Sequence, residues 1–222
     1  YTRGALGSIG GVETFMSQNV PTHTVGVGTG TPLVNGADQN VTYATSKDTN
    51  TQTIITDGWT NSTTAIVKAG DVLKFAGCFA VNPVTKATLS HLKEFVVTAD
   101  ANSGSSTGPA TITISPAMII SGAHQNASAV PANNAAITLK GTGAGLYPMN
   151  MMFTKNAFAL VSVPLVSPPG AVDVSRQSYK GTNVRVIPVY DGTNDKSTWR
   201  LDVLYGVKCI DERQAVRVSG TS

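Results

Sequence analysis

The sequence predicts a mainly β chain made of many short strands, and three observations carry that expectation. Thr, Val and Ile are abundant while the helix formers Glu, Lys and Leu are scarce. Asn, Ser, 22 glycines and 11 prolines interrupt the chain at short intervals without a repeat period, which excludes collagen and solenoid architectures. Thr111-Ile112-Thr113-Ile114 and Ala136-Ile137-Thr138-Leu139 alternate with period two, which puts their apolar side chains on one side of a strand.

The elements follow in order. Residues 10–21 form a lead-in, and a Gly/Thr loop occupies 25–31. Short β signals stand at Val41-Thr42-Tyr43 and Thr53-Ile54-Ile55-Thr56. Residues 65–81 read as a hairpin: Ile66 and Val67 lead to a turn at Ala69-Gly70-Asp71, and Val72, Leu73, Phe75 and Phe79 continue beyond it. Phe95-Val96-Val97-Thr98 is a further strand, followed by a Gly/Ser-rich loop over 99–109 and a small-residue loop over 121–134. Two short helices are conceivable, at 122–130 and at 155–161 behind Thr154, although the β-branched end of the second favours a strand. Near the C-terminus, strands over 184–190 and 199–207 flank the turn-rich Asp191-Gly192-Thr193-Asn194-Asp195. Pro188 marks the first of them as an edge strand or the site of a bulge. A shift in composition at Gly141-Thr142-Gly143-Ala144-Gly145 marks a domain boundary, with a weaker one around residues 21–30.

Charged residues are only 13% of the 222 and the net charge is +3, too small an excess to drive nucleic-acid binding by electrostatics alone. The N-terminus has no apolar signal core, and no apolar run reaches the length of a membrane helix. The chain opens on Tyr1 rather than Met and reads as a fragment. Cys78 and Cys209 cannot form a disulfide framework or a zinc site; they read as two buried free thiols, with a single disulfide as the other option.

No motif supports catalysis. Gly26-Val27-Gly28-Thr29-Gly30 lacks the Lys-Ser/Thr of a phosphate loop and is followed by Pro32 rather than a helix, so it reads as a flexible linker. His23, His91 and His124 show no metal-ligand spacing, and neither a Gly-x-Ser-x-Gly elbow nor a local cysteine nucleophile signature exists. Residues 191–195 lack the spaced carboxylates of an EF-hand and read as a solvated hairpin loop. The sequons at Asn40, Asn61 and Asn126 are expected by chance in so Asn/Thr/Ser-rich a chain. Arg176, Lys180, Arg185, Arg200 and Lys208 have no interleaved aromatic platform, and read as subunit–subunit ion pairs or as solvated. The large aromatics are rare, so Phe75, Phe153, Phe158, Trp199 and Tyr205 are the candidate core or interface anchors. No cofactor or metal is expected.

Several segments, in order, resemble the major coat proteins of short-tailed double-stranded DNA phages of the Salmonella Lederbergvirus type. Gly11-Val12-Glu13-Thr14-Phe15 through Pro21 resembles the strand leaving the apical domain. Lys68-Ala69-Gly70-Asp71-Val72-Leu73-Lys74-Phe75-Ala76-Gly77 resembles a hairpin of the family's inserted barrel, and Phe95-Val96-Val97 and residues 110–115 resemble later barrel strands. Residues 153–165 are similar to the segment re-entering the capsid core, and Arg200-Leu201-Asp202-Val203-Leu204-Tyr205-Gly206-Val207 to the terminal strand ending in Tyr-Gly.

The resemblance implies a mainly β portion of an α+β capsid fold, the Johnson fold, with a β-barrel insertion domain. It places an exit segment of the core at 1–21, the barrel at 22–147 and the C-terminal part of the core at 148–222. The family's N-terminal arm, extended loop and spine helix would lie upstream. The implied function is self-assembly into an icosahedral shell, in a virion assembled in the host cytoplasm. The implied partners are other copies in pentamers and hexamers, scaffolding and portal proteins, and packaged DNA contacted without sequence specificity; no membrane is involved. A phage decoration or tail protein and a carbohydrate-binding or adhesive β-sandwich are the alternatives.

Overall fold

A computed structural model describes residues 4–40, 50–171 and 173–219, and nearly all of its regular structure is β. The predicted strand at Val41-Thr42-Tyr43 lies outside the described residues. The chain divides into two compact units, Tyr1–Met149 with Ser219–Ser222, and Asn150–Val218.

The first unit opens with a hairpin, β1 (Ala5–Ile9) and β2 (Val12–Phe15). Its two-residue turn, Gly10-Gly11, has positive φ at both positions, the geometry that matches strand twist. Strand β3 (Thr22–Thr24) follows. A six-stranded antiparallel sheet is then built from β4 (Gly30–Val34), β5 (Gln52–Trp59), β6 (Val72–Val81), β7 (Thr88–Val97), β8 (Ala110–Ser115) and β9 (Ile137–Leu139). Its order is β4-β5-β8-β7-β6-β9. The two edges nearly meet: Leu33 bridges Ala136, Val34 N donates to Ala135 O at 3.0 Å, and Asn134 N donates to Val34 O at 2.8 Å. The sheet is therefore a barrel closed by one short seam, which removes most of the exposed edge.

The barrel interior holds Val34, Ile54, Ile66, Val67, Leu73, Phe75, Phe95, Val97, Ile112, Ile114 and Met118, all with essentially no exposure. Ile112 and Ile114 are the inward residues of β8, as the alternation predicts. Strand β6 changes parity along its length. Leu73 and Phe75 point inward, but further on Cys78 and Ala80 do, because the register against β7 shifts between Lys74 and Phe79. Gly77, at φ +80°, lies within this irregularity and takes the left-handed conformation that a bulge demands.

Three sequence expectations change here. Ile66 and Val67 do not pair with β6; Val67 bridges Ala101 instead, and the partner of β6 is β7. The Gly26–Gly30 segment is not a flexible linker, since Val27 N and Gly28 N donate to Ala65 O and Ile66 O, each at 3.0 Å. Residues 122–130 form no helix. Within that stretch the Asn126 side chain accepts from Ile119 N and donates to Ala117 O, which folds the loop onto the barrel and carries Met118 into the core.

The last strand of the first unit, β10 (Leu146–Phe153), pairs antiparallel with β3, so the segment entering the barrel and the segment leaving it run side by side. Thr24 faces Leu146 and Thr22 faces Pro148.

The second unit begins within β10 and contains β11 (Phe158–Val163), β12 (Ser175–Tyr179), β13 (Thr182–Asp191), β14 (Lys196–Asp202), β15 (Leu204–Cys209), a short 3-10 turn (Glu212–Gln214) and β16 (Ala215–Ser219), whose sheet neighbour is β10. Residues 155–157 turn into β11 rather than starting a helix. The predicted strand over 199–207 is two strands. One part completes the meander β12-β13-β14, and the chain then breaks at Val203 so that β15 pairs with β11. Pro188 sits in the middle strand of the meander but beyond the end of β12, where β13 is locally an edge and a missing N–H costs nothing.

Candidate assembly surface

The two units differ in what they bury. The barrel has a complete interior, whereas among the described residues of 150–218 only Ala157 and Ile187 are buried apolar side chains. The second unit exposes its large side chains instead.

Strand register shows how they are arranged. Antiparallel partners project to the same side. Val186 faces Leu201 and Pro188 faces Trp199, while Val184 and Tyr190 share their side of β13. One face of the meander is therefore an apolar row in which Trp199 is 66% and Leu201 69% exposed. The opposite face carries the polar contacts. Asn183 donates from its backbone N and its side chain to Ser162, and Arg185 donates to Asp202 Oδ2 and to the Val166 carbonyl. Asp202 also accepts from Arg200 Nε at 2.7 Å. The Arg185 guanidinium first, then that of Arg200, hold the Asp202 carboxyl below its ordinary range. These two arginines are thus engaged inside the chain. The whole net charge of +3 falls on residues 150–218.

The β11–β15 pair adds Leu160 opposite Val207 and Val163 opposite Leu204, all exposed. The hairpin β1–β2 likewise exposes Leu6, Ile9, Val12 and Phe15. Of the five aromatic candidates, Phe75 is in the barrel core, edge-on to Phe95 at 5.6 Å between centroids. Phe153 and Phe158 meet edge-on at 5.2 Å yet stay exposed, as do Trp199 and Tyr205. A soluble monomer rarely leaves so many large apolar side chains in water.

Other predicted features resolve locally. The Asp191 carboxylate accepts from Thr193 N and Asn194 Nδ2, so its oxygens are spent closing the hairpin loop. Cys78 is buried, and desolvation pushes its thiol up to about 11. Cys209, expected to be buried, is only partly covered; both thiols are free. Among the described residues, no three His, Cys, Asp or Glu side chains gather where a metal could bind.

Sequence spacing missed one constellation. His23 Nε2 lies 2.6 Å from Asp71 Oδ1, although 48 residues separate them. The Asp71 side chain is completely buried, and its second oxygen accepts from Lys68 N at 2.7 Å and Gly26 N at 3.0 Å. No local pattern announces this pair, because the fold alone brings β3 against the turn before β6.

Comparison with known proteins bears on the whole chain. A curated relative, the major capsid protein of Acyrthosiphon pisum secondary endosymbiont phage 1, is 28% identical over 212 residues, which are 92% of this chain and 50% of that protein. The chain thus spans about half the length of the curated relative it matches. A solved structure, the CUS-3 coat protein I-domain, is 28% identical and aligns with 50% of this chain and 96% of its own at a TM-score of 0.34. The model of the family described as P22 coat protein, gene protein 5, matches residues 1–219, and the chain belongs to that family.

Proposed function

We propose that this chain is the barrel-bearing, C-terminal portion of the major capsid protein of a tailed double-stranded DNA phage, and that its work is self-association into an icosahedral shell. The apolar surface of the second unit is the observation that carries this reading: its strands expose the side chains that a folded core would bury. Covering each such Leu, Val or Trp is worth about 1.5–3 kcal/mol. A micromolar contact between copies is worth about 8 kcal/mol, and a lattice subunit makes several. Contacts of that strength let misplaced copies leave while the closed shell persists.

In this reading residues 22–147 are the inserted barrel, and 1–21 and 148–222 belong to a Johnson-fold core completed by the rest of the polypeptide. Pentamers and hexamers of the same chain are its main partners, with scaffolding and portal proteins during assembly in the host cytoplasm. Packaged DNA would meet the excess positive charge of 150–218 through its phosphates, without sequence readout. The chain converts no substrate.

Electron microscopy of the full-length gene product under assembly conditions tests the reading. Closed shells are expected. A full-length product that stays monomeric across protein and salt concentrations overturns it.

A further inference from the structure

The two strands that carry the chain into and out of the barrel could form a loose tether, but the barrel wall holds them. The incoming segment lies flat on residues 65–67. A Cβ on Gly26 would stand 2.5 Å from the Ile66 carbonyl oxygen and from the Val67 Cα. A Cβ on Gly143, in the outgoing segment, would stand 2.2 Å from the Val27 carbonyl oxygen. The segments are also laced together, with Val25 N donating to Gly145 O at 3.0 Å and Ala144 N to Gly26 O at 3.1 Å. Only glycine allows backbones to approach so closely.

Asp71 sits at the centre of this joint. One carboxylate oxygen accepts from His23 of β3; the other accepts from Gly26 N of the incoming segment and from Lys68 N of the barrel. Its own backbone belongs to the barrel, with Val97 N donating to Asp71 O at 2.8 Å. A buried carboxylate without partners is strongly disfavoured, so the three donors and the acceptor hold one another in place. His23 is the arm that reaches furthest along the stem, since it faces Tyr147 of β10 across the β3–β10 pair.

We propose that the buried Asp71 carboxylate, gripping His23 and Gly26, is a clamp that turns the two-strand stem into a rigid joint, so that every copy of the chain presents its barrel at one fixed angle on that stem. The proposal rests on the reading of residues 22–147 as an inserted barrel. The His23 arm is separable from the barrel core, because its side chain is partly exposed, whereas Gly26 lies against Ile66 and Val67 of that core.

Hydrogen exchange on the full-length protein, followed residue by residue, tests it with His23→Leu and Asp71→Asn. His23→Leu removes one arm and leaves the carboxylate its two backbone donors. We expect exchange at Thr24, Val25 and Tyr147 to speed up about tenfold or more, while Ile54, Phe95, Ile112 and Ile114 stay within about twofold of wild type. Asp71→Asn is expected to extend the faster exchange to Gly26 and Lys68. In shells imaged by electron microscopy, barrel density should weaken in His23→Leu while the surrounding shell stays sharp. Unchanged exchange of the stem in both variants overturns the clamp. So does equal acceleration of stem and core in His23→Leu, which would make the pair a general stability element. Failure of the wild-type product to form shells would instead overturn the assembly reading and leave the exchange result standing.

Discussion

Phe75 and Phe95 meet edge to face at the centre of the barrel, and neither has measurable exposure. Phe75→Ala should cost about 3–5 kcal/mol of barrel stability, because the closed sheet cannot collapse into the void; a denaturant titration of the purified protein measures it. The thiols separate cleanly at this scale. Burial pushes Cys78 up to about 11, so at neutral pH it is both protonated and out of reach, whereas Cys209 is partly open. Iodoacetamide should label Cys209 in the native protein and both cysteines only after denaturation. Glu94 gives the acid response. Partial burial alone would raise its carboxyl, but hydrogen bonds from Lys140 and Lys74 outweigh that and hold it below its ordinary value of 4.5. A carboxyl depressed in the folded state contributes stability above its unfolded value and loses it as pH falls through the folded one. The barrel's unfolding midpoint should therefore drop on acidification below about pH 4.5, and Glu94→Gln should flatten part of that slope.

Strands differ in how plainly they can be read. β8 was legible because Thr and Ile alternate without interruption and one face is buried. The turns at Ala69-Gly70-Asp71 and Asp191–Asp195 were also legible, whereas the two-residue turn at Lys180-Gly181, where both residues adopt positive φ, was not anticipated. β6 was only half legible. Its alternation reverses at an irregularity set by its pairing with β7, between Lys74–Glu94 and Phe79–Leu92, and a partner on another strand leaves no mark on local periodicity. The same limit hid the break at Val203, where the chain changes sheets although the apolar pattern continues. Glycines serving close approach rather than turns were invisible for that reason too. Gly108 combines both demands: it sits at φ +65°, and a Cβ there would lie 1.9 Å from the Trp59 carbonyl oxygen. Gly108→Ala should displace the end of β5 and expose Trp59, read as a red shift and increased quenching of its fluorescence. The Trp59 indole donates to Thr56 Oγ1, which in turn donates to Ala110 O, so this shift would also break a buried chain of hydrogen bonds.

For the molecule as a whole, the two units pose different problems. The barrel satisfies itself; its many short strands and turns were legible in the sequence, but its closure was implied only by the family resemblance. The second unit could not be understood from composition, since Trp199 and Tyr205 look like core residues in sequence and stand exposed in the chain. Their rarity singled them out, but what covers them is not encoded in local pattern. Replacing Trp199 and Leu201 together by Ser should abolish shell formation by the full-length product, with the barrel's unfolding midpoint shifted by less than about 1 kcal/mol equivalent. Sedimentation and thermal unfolding on the same sample separate these outcomes. A parallel loss of barrel stability would show that the surface serves folding of the whole chain instead.

The side-by-side run of β3 and β10 also has a genetic reading. Paired Cα atoms on antiparallel strands lie about 5 Å apart, so the 22–148 excursion returns the polypeptide almost to its point of departure. A gene with the excursion deleted would need only a tight turn to bridge the gap, and a foreign sequence with equally close termini would fit in its place. Conversely, a linker of a few residues joining Thr22 to Pro148 would allow the ring to be reopened elsewhere. The connection between β6 and β7, where Val84 is 87% exposed, is the natural place for new termini and for displaying a grafted peptide.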